Sequence, residues 1–300
     1  MISAFLVKKK YDDSNSNPYH RIMSVNLDRR LSLLRKFYFG KKENPFVIFG
    51  CSYAYGFGLN EDQTFSYKLH KQTGSTVLNY ALYGEGVAFM YQLLSDSKIL
   101  ADLKRVNPST IYYVYIPGHN ERAYNFRNCG IGSDYFSIRY EIKNGVLQED
   151  KISAVEAFFH SFYMAILLED FISQIQKQYG NPEKVFSELL LNSYNIIKKE
   201  LPNSKFVIIL YPDGKEQCGQ DNEALAESIS FLTSVLPDVK ILNVNNEINE
   251  LDNSQYWLDF TEHPSEYAWD KLIPIILDKT RWFFIIIDFK KHILIYKICS

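Results

Sequence analysis

From residue 45 onward the chain alternates two kinds of segment. Short apolar runs of strand length are each followed by a stretch whose apolar residues recur at helical spacing. The run PFVIF (45–49) is continuous rather than alternating, which predicts a strand buried on both faces. EDQTFSYKLHKQTG (61–74) reads as a helix stopped by Gly74. STVLNYAL (75–82) reads as a second strand, and residues 87–104 as a helix ending before NPST. TIYYVYIPG (110–118), rich in β-branched and aromatic residues, predicts a third strand. After an interruption the rhythm resumes with a helix over 182–200, a strand at KFVIILYP (205–212) and a helix over 222–236. A strand at DVKILNV (238–244) and a last helix over 266–279 complete the series. Strands separated by helical crossovers imply a parallel sheet covered on both faces, hence an α/β fold. Ligands of such sheets sit at the carboxyl ends of the strands.

The interruption covers residues 121–181. YFSIRYEIKNGVLQED alternates on both sides of Asn144-Gly145, which predicts a hairpin with a type I′ turn. Residues 152–179 then read as a long helix, apolar nearly all round in its middle turns and ended by Gly180-Asn181-Pro182. This insertion is expected to cover the carboxyl ends of the strands and help shape a pocket there. Residues 1–43 read as an irregular extension that includes a short amphipathic helix at LDRRLSLLRKFYF (27–39). The main domain is therefore expected over 44–280, and residues 281–300 form an apolar and basic tail.

Composition adds limits. The chain has 300 residues, 46% hydrophobic and 23% charged, as in an ordinary soluble globular protein. A net charge of −2 provides no basic face for nucleic acid. Tyr and Phe are abundant, at 22 and 21; large rings fill cores, and Tyr also lines sugar and acyl pockets. Cys51, Cys129, Cys218 and Cys299 show no paired or metal-ligand spacing, so neither a disulfide framework nor a metal site is expected. The N-terminus has its apolar run before its basic run, the reverse of a secretory signal. The tail is interrupted by Asp288, Lys290, Lys291 and His292, so it cannot span a bilayer; an added strand, a docking segment and a membrane-surface contact all fit it. A cytoplasmic, soluble protein is expected, with the 152–179 helix or the tail as surfaces for homo-oligomerisation.

Chemistry is concentrated where the first strand ends. FVIFGCSYAYGFG (46–58) places Gly50, Cys51 and Ser52 directly after a buried strand. The phosphate-loop pattern GxxxxGK[ST] and the dinucleotide fingerprint GxGxxG are both absent. Cys51 is a possible nucleophile, though a small thiol beside a turn is more often packed. A serine needs a base, normally a histidine oriented by a carboxylate. Of the six histidines, only His119 and His263 fall in loops after expected strands. His263 sits in DFTEHPSEYAW with Asp259 and Glu262 close by. Gly84, in NYALYGEG, lets backbone approach a ligand closely, and Asn120, in IPGHNERA, offers a side-chain amide.

In this order the four blocks resemble those of the SGNH/GDSL hydrolase family: GCSYAYG, NYALYGEG, GHN and DFTEHPS, across roughly residues 46–280. The resemblance implies a three-layer α/β/α sandwich with a five-stranded parallel sheet of flavodoxin-like order 2-1-3-4-5. It implies no cofactor and no metal. Ser52 would be the nucleophile, His263 the base, and the oxyanion hole would comprise the Ser52 and Gly84 N–H groups and the Asn120 amide. The activity implied is that of a carboxylesterase or acetylesterase, cleaving a carbohydrate or small-molecule ester through an acyl-enzyme, or transferring the acyl group when a hydroxyl replaces water.

Two departures stand out. Cys51 replaces the aspartate of Gly-Asp-Ser, and Phe260 stands where the family places its acid, three residues before the histidine. Asp259 is the expected acid in its place, because Glu262 is adjacent to His263 and a neighbouring side chain generally points away from its own imidazole. His119 is a second possible donor beside Asn120. Other classes fit less well. The α/β-hydrolase elbow G-x-S-x-G is approached by GCSYA, but that elbow follows several strands rather than the first. HNE at 119–121 matches H-x-E of zinc deaminases without the required P-C-x-x-C. A catalytically silent binder of polysaccharide or protein remains the non-enzyme alternative.

Overall fold

A computed structural model of the chain describes residues 31, 34, 37–124, 139–144, 146–150, 182–213, 223–249, 253–258, 263–280, 283–289 and 292–298. The apolar runs form five parallel strands: β1 (Lys41–Gly50), β2 (Ser75–Asn79), β3 (Thr110–Tyr115), β6 (Lys205–Leu210) and β7 (Lys240–Asn243). Two further strands, β4 (Arg139–Lys143) and β5 (Val146–Asp150), form a separate hairpin. The sheet order is β2-β1-β3-β6-β7. Leaving the hairpin aside, that is 2-1-3-4-5, as expected. Register is regular through the centre, with Phe46 to Gly50 of β1 facing Thr110 to Val114 of β3.

Both faces of the sheet are covered, which explains why the central runs lack alternation. Ile111, Tyr113 and Tyr115 of β3 pack on one side with α3 (Val87–Ser95), α4 (Ser97–Val106), α6 (Pro182–Glu200) and α7 (Glu223–Val235). Tyr112 and Val114 pack on the other with α2 (Phe65–Thr73), α8 (Asn245–Asn249) and α9 (Glu266–Thr280). Each large apolar side chain buried this way contributes about 1.5–3 kcal/mol.

Local polar chemistry moved several element ends. The 61–74 segment is a 3₁₀ turn at Glu61–Gln63 followed by α2, because the Thr64 hydroxyl accepts the Tyr67 N–H and starts a new helix. Gly74, at φ 67, ends it as expected. The 87–104 segment is two helices, divided where the Asp96 carboxylate accepts the N–H groups of Lys98 and Ile99. β2 stops at Asn79, leaving residues 80–86 as a loop. Before β1, Tyr38 exchanges two backbone hydrogen bonds with Val77 and is buried, so packed structure begins ahead of residue 44.

In the insertion, β4 and β5 pair antiparallel with Lys143 opposite Val146, and Asn144 has φ 53, as the turn chemistry predicts. Buried Tyr140 packs edge-on against Tyr91 of α3. The 152–179 helix and most of the 27–39 segment lie outside the described residues. In the tail, β8 (Phe283–Phe289) and β9 (His292–Ile298) form an antiparallel hairpin of their own, rather than adding a strand to the main sheet. No helix among the described residues is long and apolar enough to cross a membrane.

Candidate active site

The end of β1 is a turn that only glycine can make cheaply. Gly50 adopts φ 150, and a Cβ there would meet the Ala54 side chain and the Val114 carbonyl oxygen at 3.0 Å. The chain then enters α1 (Ser52–Tyr55), a single turn ended by Gly56 at φ 81. Cys51 just before it is fully buried among apolar side chains, which fits a packing role rather than a nucleophilic one. Ser52 begins the turn, with its hydroxyl directed toward the loop before α9.

That loop brings His263 to the serine. Nε2 of His263 lies 2.8 Å from Oγ of Ser52, across 211 residues of sequence. A neutral imidazole accepting at Nε2 takes the serine hydroxyl's hydrogen bond, the geometry general-base activation needs. The loop is pinned on both sides of the histidine. The Leu258 N–H donates to the His263 carbonyl at 2.8 Å, and the Ser265 N–H donates to the Tyr256 carbonyl at 2.8 Å. Ser265 then caps α9 by accepting the Ala268 N–H.

Aromatic packing fixes the imidazole from behind. The His263 ring lies 5.0 Å from that of Tyr53, which packs edge-on against Tyr211 and Trp257. On its outer side Phe57 lies 5.3 Å away. An ion-pair cluster reinforces the placement of α9 against α2: Lys68 bridges Glu266 at 2.7 Å and Asp270 at 2.6 Å. Burial opposes the Lys68 charge, but hydrogen bonds to both carboxylates outweigh it and raise its pKa. The same bond from Lys68 holds the Glu266 carboxyl below its ordinary range.

The second block is stitched to the first. The Tyr80 N–H donates to the Ile48 carbonyl at 2.7 Å and the Leu82 N–H to the Gly50 carbonyl at 3.2 Å, so the 80–86 loop runs beside the serine turn. Gly84 sits in this loop at φ 74, a conformation that disfavours any side chain. Asn79, which the sequence did not single out, anchors the whole junction. Its fully buried amide donates to the Ala54 carbonyl at 2.9 Å and to the Ser66 hydroxyl at 3.2 Å, and its oxygen accepts the Ala81 N–H at 2.9 Å. Its signal was its place at the end of the strand, directly after the apolar pair Val77-Leu78.

The third block departs from the expected loop: His119 and Asn120 open a short helix, α5 (His119–Tyr124). His119 is fully buried, bonded to the Tyr113 hydroxyl through Nδ1 at 2.8 Å, with its ring beneath Gly86. Asn120 is half-buried, and its Oδ1 accepts the Tyr115 hydroxyl at 3.0 Å. Burial pushes the Tyr115 hydroxyl up to about 12, so it stays a donor through the neutral range. Gly118 lies against the Asp213 carboxylate, which a Cβ would meet at 2.8 Å, so a side chain there would require Asp213 to shift. Of the two expected acids, both Asp259 and Glu262 lie outside the described residues. Among the described residues no group of three His, Cys, Asp or Glu side chains is arranged to hold a metal ion.

No protein-family profile matches the chain, and no curated protein is similar to it in sequence. Solved structures do resemble it. A family two carbohydrate esterase from Clostridium thermocellum, solved with cellohexaose, has a TM-score of 0.45 at 12% identity, over 79% of this chain and 64% of that one. The psychrotrophic esterase EstA from Pseudoalteromonas sp. has a TM-score of 0.43 at 11% identity, over 79% of this chain and 96% of that one. The lipase Lip_vut3 from a goat rumen metagenome has a TM-score of 0.48 at 8% identity, over 78% of this chain and 96% of that one. The chain thus spans about two-thirds of the first of these proteins. These are likenesses of chain path, and the chemistry of the site rests on its own geometry.

Proposed function

We propose that the protein is a serine-dependent ester hydrolase of the SGNH/GDSL type, removing acetyl or other short acyl groups from a carbohydrate or small-molecule ester. The observation that carries this reading is the 2.8 Å contact between Ser52 Oγ and His263 Nε2. A protein that merely binds a glycan has no chemical need for that pair.

Ser52 Oγ attacks the ester carbonyl carbon as its proton passes to Nε2 of His263. The carbonyl electrons move onto oxygen, which receives hydrogen bonds from the Ser52 N–H, the Gly84 N–H and the Asn120 amide. Collapse of the adduct breaks the bond to the alcohol oxygen, which takes the proton from Nε2. Water, deprotonated by the same nitrogen, then attacks the acyl-Ser52 carbonyl; the carboxylic acid leaves and the serine regains its proton. Asp259 holds the imidazole in the tautomer this cycle needs.

The Tyr115 bond to Oδ1 supports Asn120 as the side-chain donor, because it occupies the accepting end of the amide and leaves Nδ2 to donate. His119, buried and bonded to Tyr113, is less suited to that role. The test is turnover of a short-chain aryl acetate. Ser52→Ala and His263→Ala should each lower kcat by roughly four to six orders of magnitude. Unchanged turnover in Ser52→Ala would remove the reading.

A further inference from the structure

Phe57 is 42% exposed, the turn that carries the nucleophile sets its position, and no step of the proposed chemistry uses it. A single exposed Phe is ordinary on a protein surface; this one lies beside the catalytic pair. Its N–H donates to the Ser52 carbonyl at 3.0 Å, and it stands between Gly56 and Gly58, both at φ 81. That backbone sets the direction in which its side chain leaves the turn. Its ring is 5.3 Å from the His263 ring and 6.1 Å from that of Tyr83, which in turn packs edge-on against Tyr55 at 5.4 Å. Aromatic side chains therefore run from the outer face of the imidazole to the residue before Gly84.

The chemistry of the histidine says which half of the substrate meets this surface. Nε2 must reach both Ser52 Oγ and the departing alcohol oxygen, so the alcohol half of an ester leaves on the histidine side. The carbonyl oxygen faces the donors instead. We propose, resting on the hydrolase reading above, that Phe57 backed by Tyr83 is the binding face for the alcohol half, and that it selects esters of ring-shaped alcohols. A pyranose and a benzyl group share the required feature, a flat face of C–H or π surface that covers an aromatic ring.

The test compares esters of primary alcohols, so that leaving-group reactivity is similar: ethyl acetate, benzyl acetate, and a methyl pyranoside acetylated on its primary hydroxyl. The wild-type protein should show higher kcat/KM on one or both ring esters than on ethyl acetate, and the favoured ring tells sugar from aryl. Phe57→Ala should shrink that ratio by about three- to tenfold, the scale of one aromatic contact, and Phe57→Tyr should keep it. The ratio between ethyl acetate and ethyl butyrate, which varies only the acyl half, should not move. An unchanged ring preference in Phe57→Ala, or an effect confined to the acyl series, overturns the assignment while leaving the hydrolase reading standing. No hydrolysis of any ester by the wild-type protein overturns both.

Discussion

The Tyr115 hydroxyl donates a 3.0 Å hydrogen bond to Oδ1 of Asn120, joining the last residue of β3 to the second residue of α5. This bond orients the amide, so Tyr115 is a positioning residue that acts through Asn120. Asn120→Ala should lower kcat by about a hundred- to a thousandfold, as loss of an oxyanion donor does. Tyr115→Phe should cost about tenfold in kcat with KM little changed, and nothing further in the Asn120→Ala background. Additive losses in the double variant would show that Tyr115 acts by another route.

The turn at Gly50 predicts a stability effect. Gly50→Ala places a Cβ at φ 150 and 3.0 Å from both the Ala54 side chain and the Val114 carbonyl oxygen. Unfolding in urea should show a loss of about 1–3 kcal/mol or more, accompanied by lower turnover as the serine turn shifts. A variant as stable as the parent would contradict the strain argument.

Asp259 and Glu262 both lie near His263 in the chain, and substituting each in turn tells which orients it. Asp259→Asn should lose far more turnover than Glu262→Gln, since only the first removes the group proposed to fix the imidazole tautomer. The ratio of the two kcat values decides it, and equal losses or the reverse order would reassign the acid.

Buried tyrosines predict behaviour in alkali. Burial pushes Tyr112 and Tyr115 from 10.0 up to about 12. A pKa raised in the fold means the folded state holds its proton longer than the unfolded chain does. The stability linked to each group is therefore complete below pH 10 and is lost as pH rises toward 12, by roughly 3 kcal/mol per group at most. Urea unfolding at about pH 9 and about pH 11 should show this decline, and Tyr112→Phe should reduce it. A flat profile would mean that these hydroxyls are not buried.

Much of this architecture was readable from residue order because its signals are local. β1, β3 and β6 announce themselves as unbroken apolar runs, since a strand covered on both faces has no polar side to show. Ser52 and His263 were identifiable because each follows or precedes a strong element signal. Capping was harder to see: Thr64 and Asp96 each accept nearby backbone N–H groups and so begin new helices inside stretches that look continuous. The roles of Asn79 and Phe57 depend on contacts between segments far apart in the chain, and that of Tyr115 on the turn into α5 that brings Asn120 back to it. Asn79 reaches Ala54 from 25 residues away, and Phe57 meets His263 only once the sheet has formed. No periodicity encodes such contacts.

The proposed chemistry depends most on the Ser52–His263 pair, and a fluorophosphonate tests that pair directly. The reagent should label the folded wild-type protein on Ser52, identified by peptide mass spectrometry. Labelling should vanish in Ser52→Ala and slow by orders of magnitude in His263→Ala. Folded protein that stays unlabelled, or that carries the label on Cys51 or another residue, would contradict it.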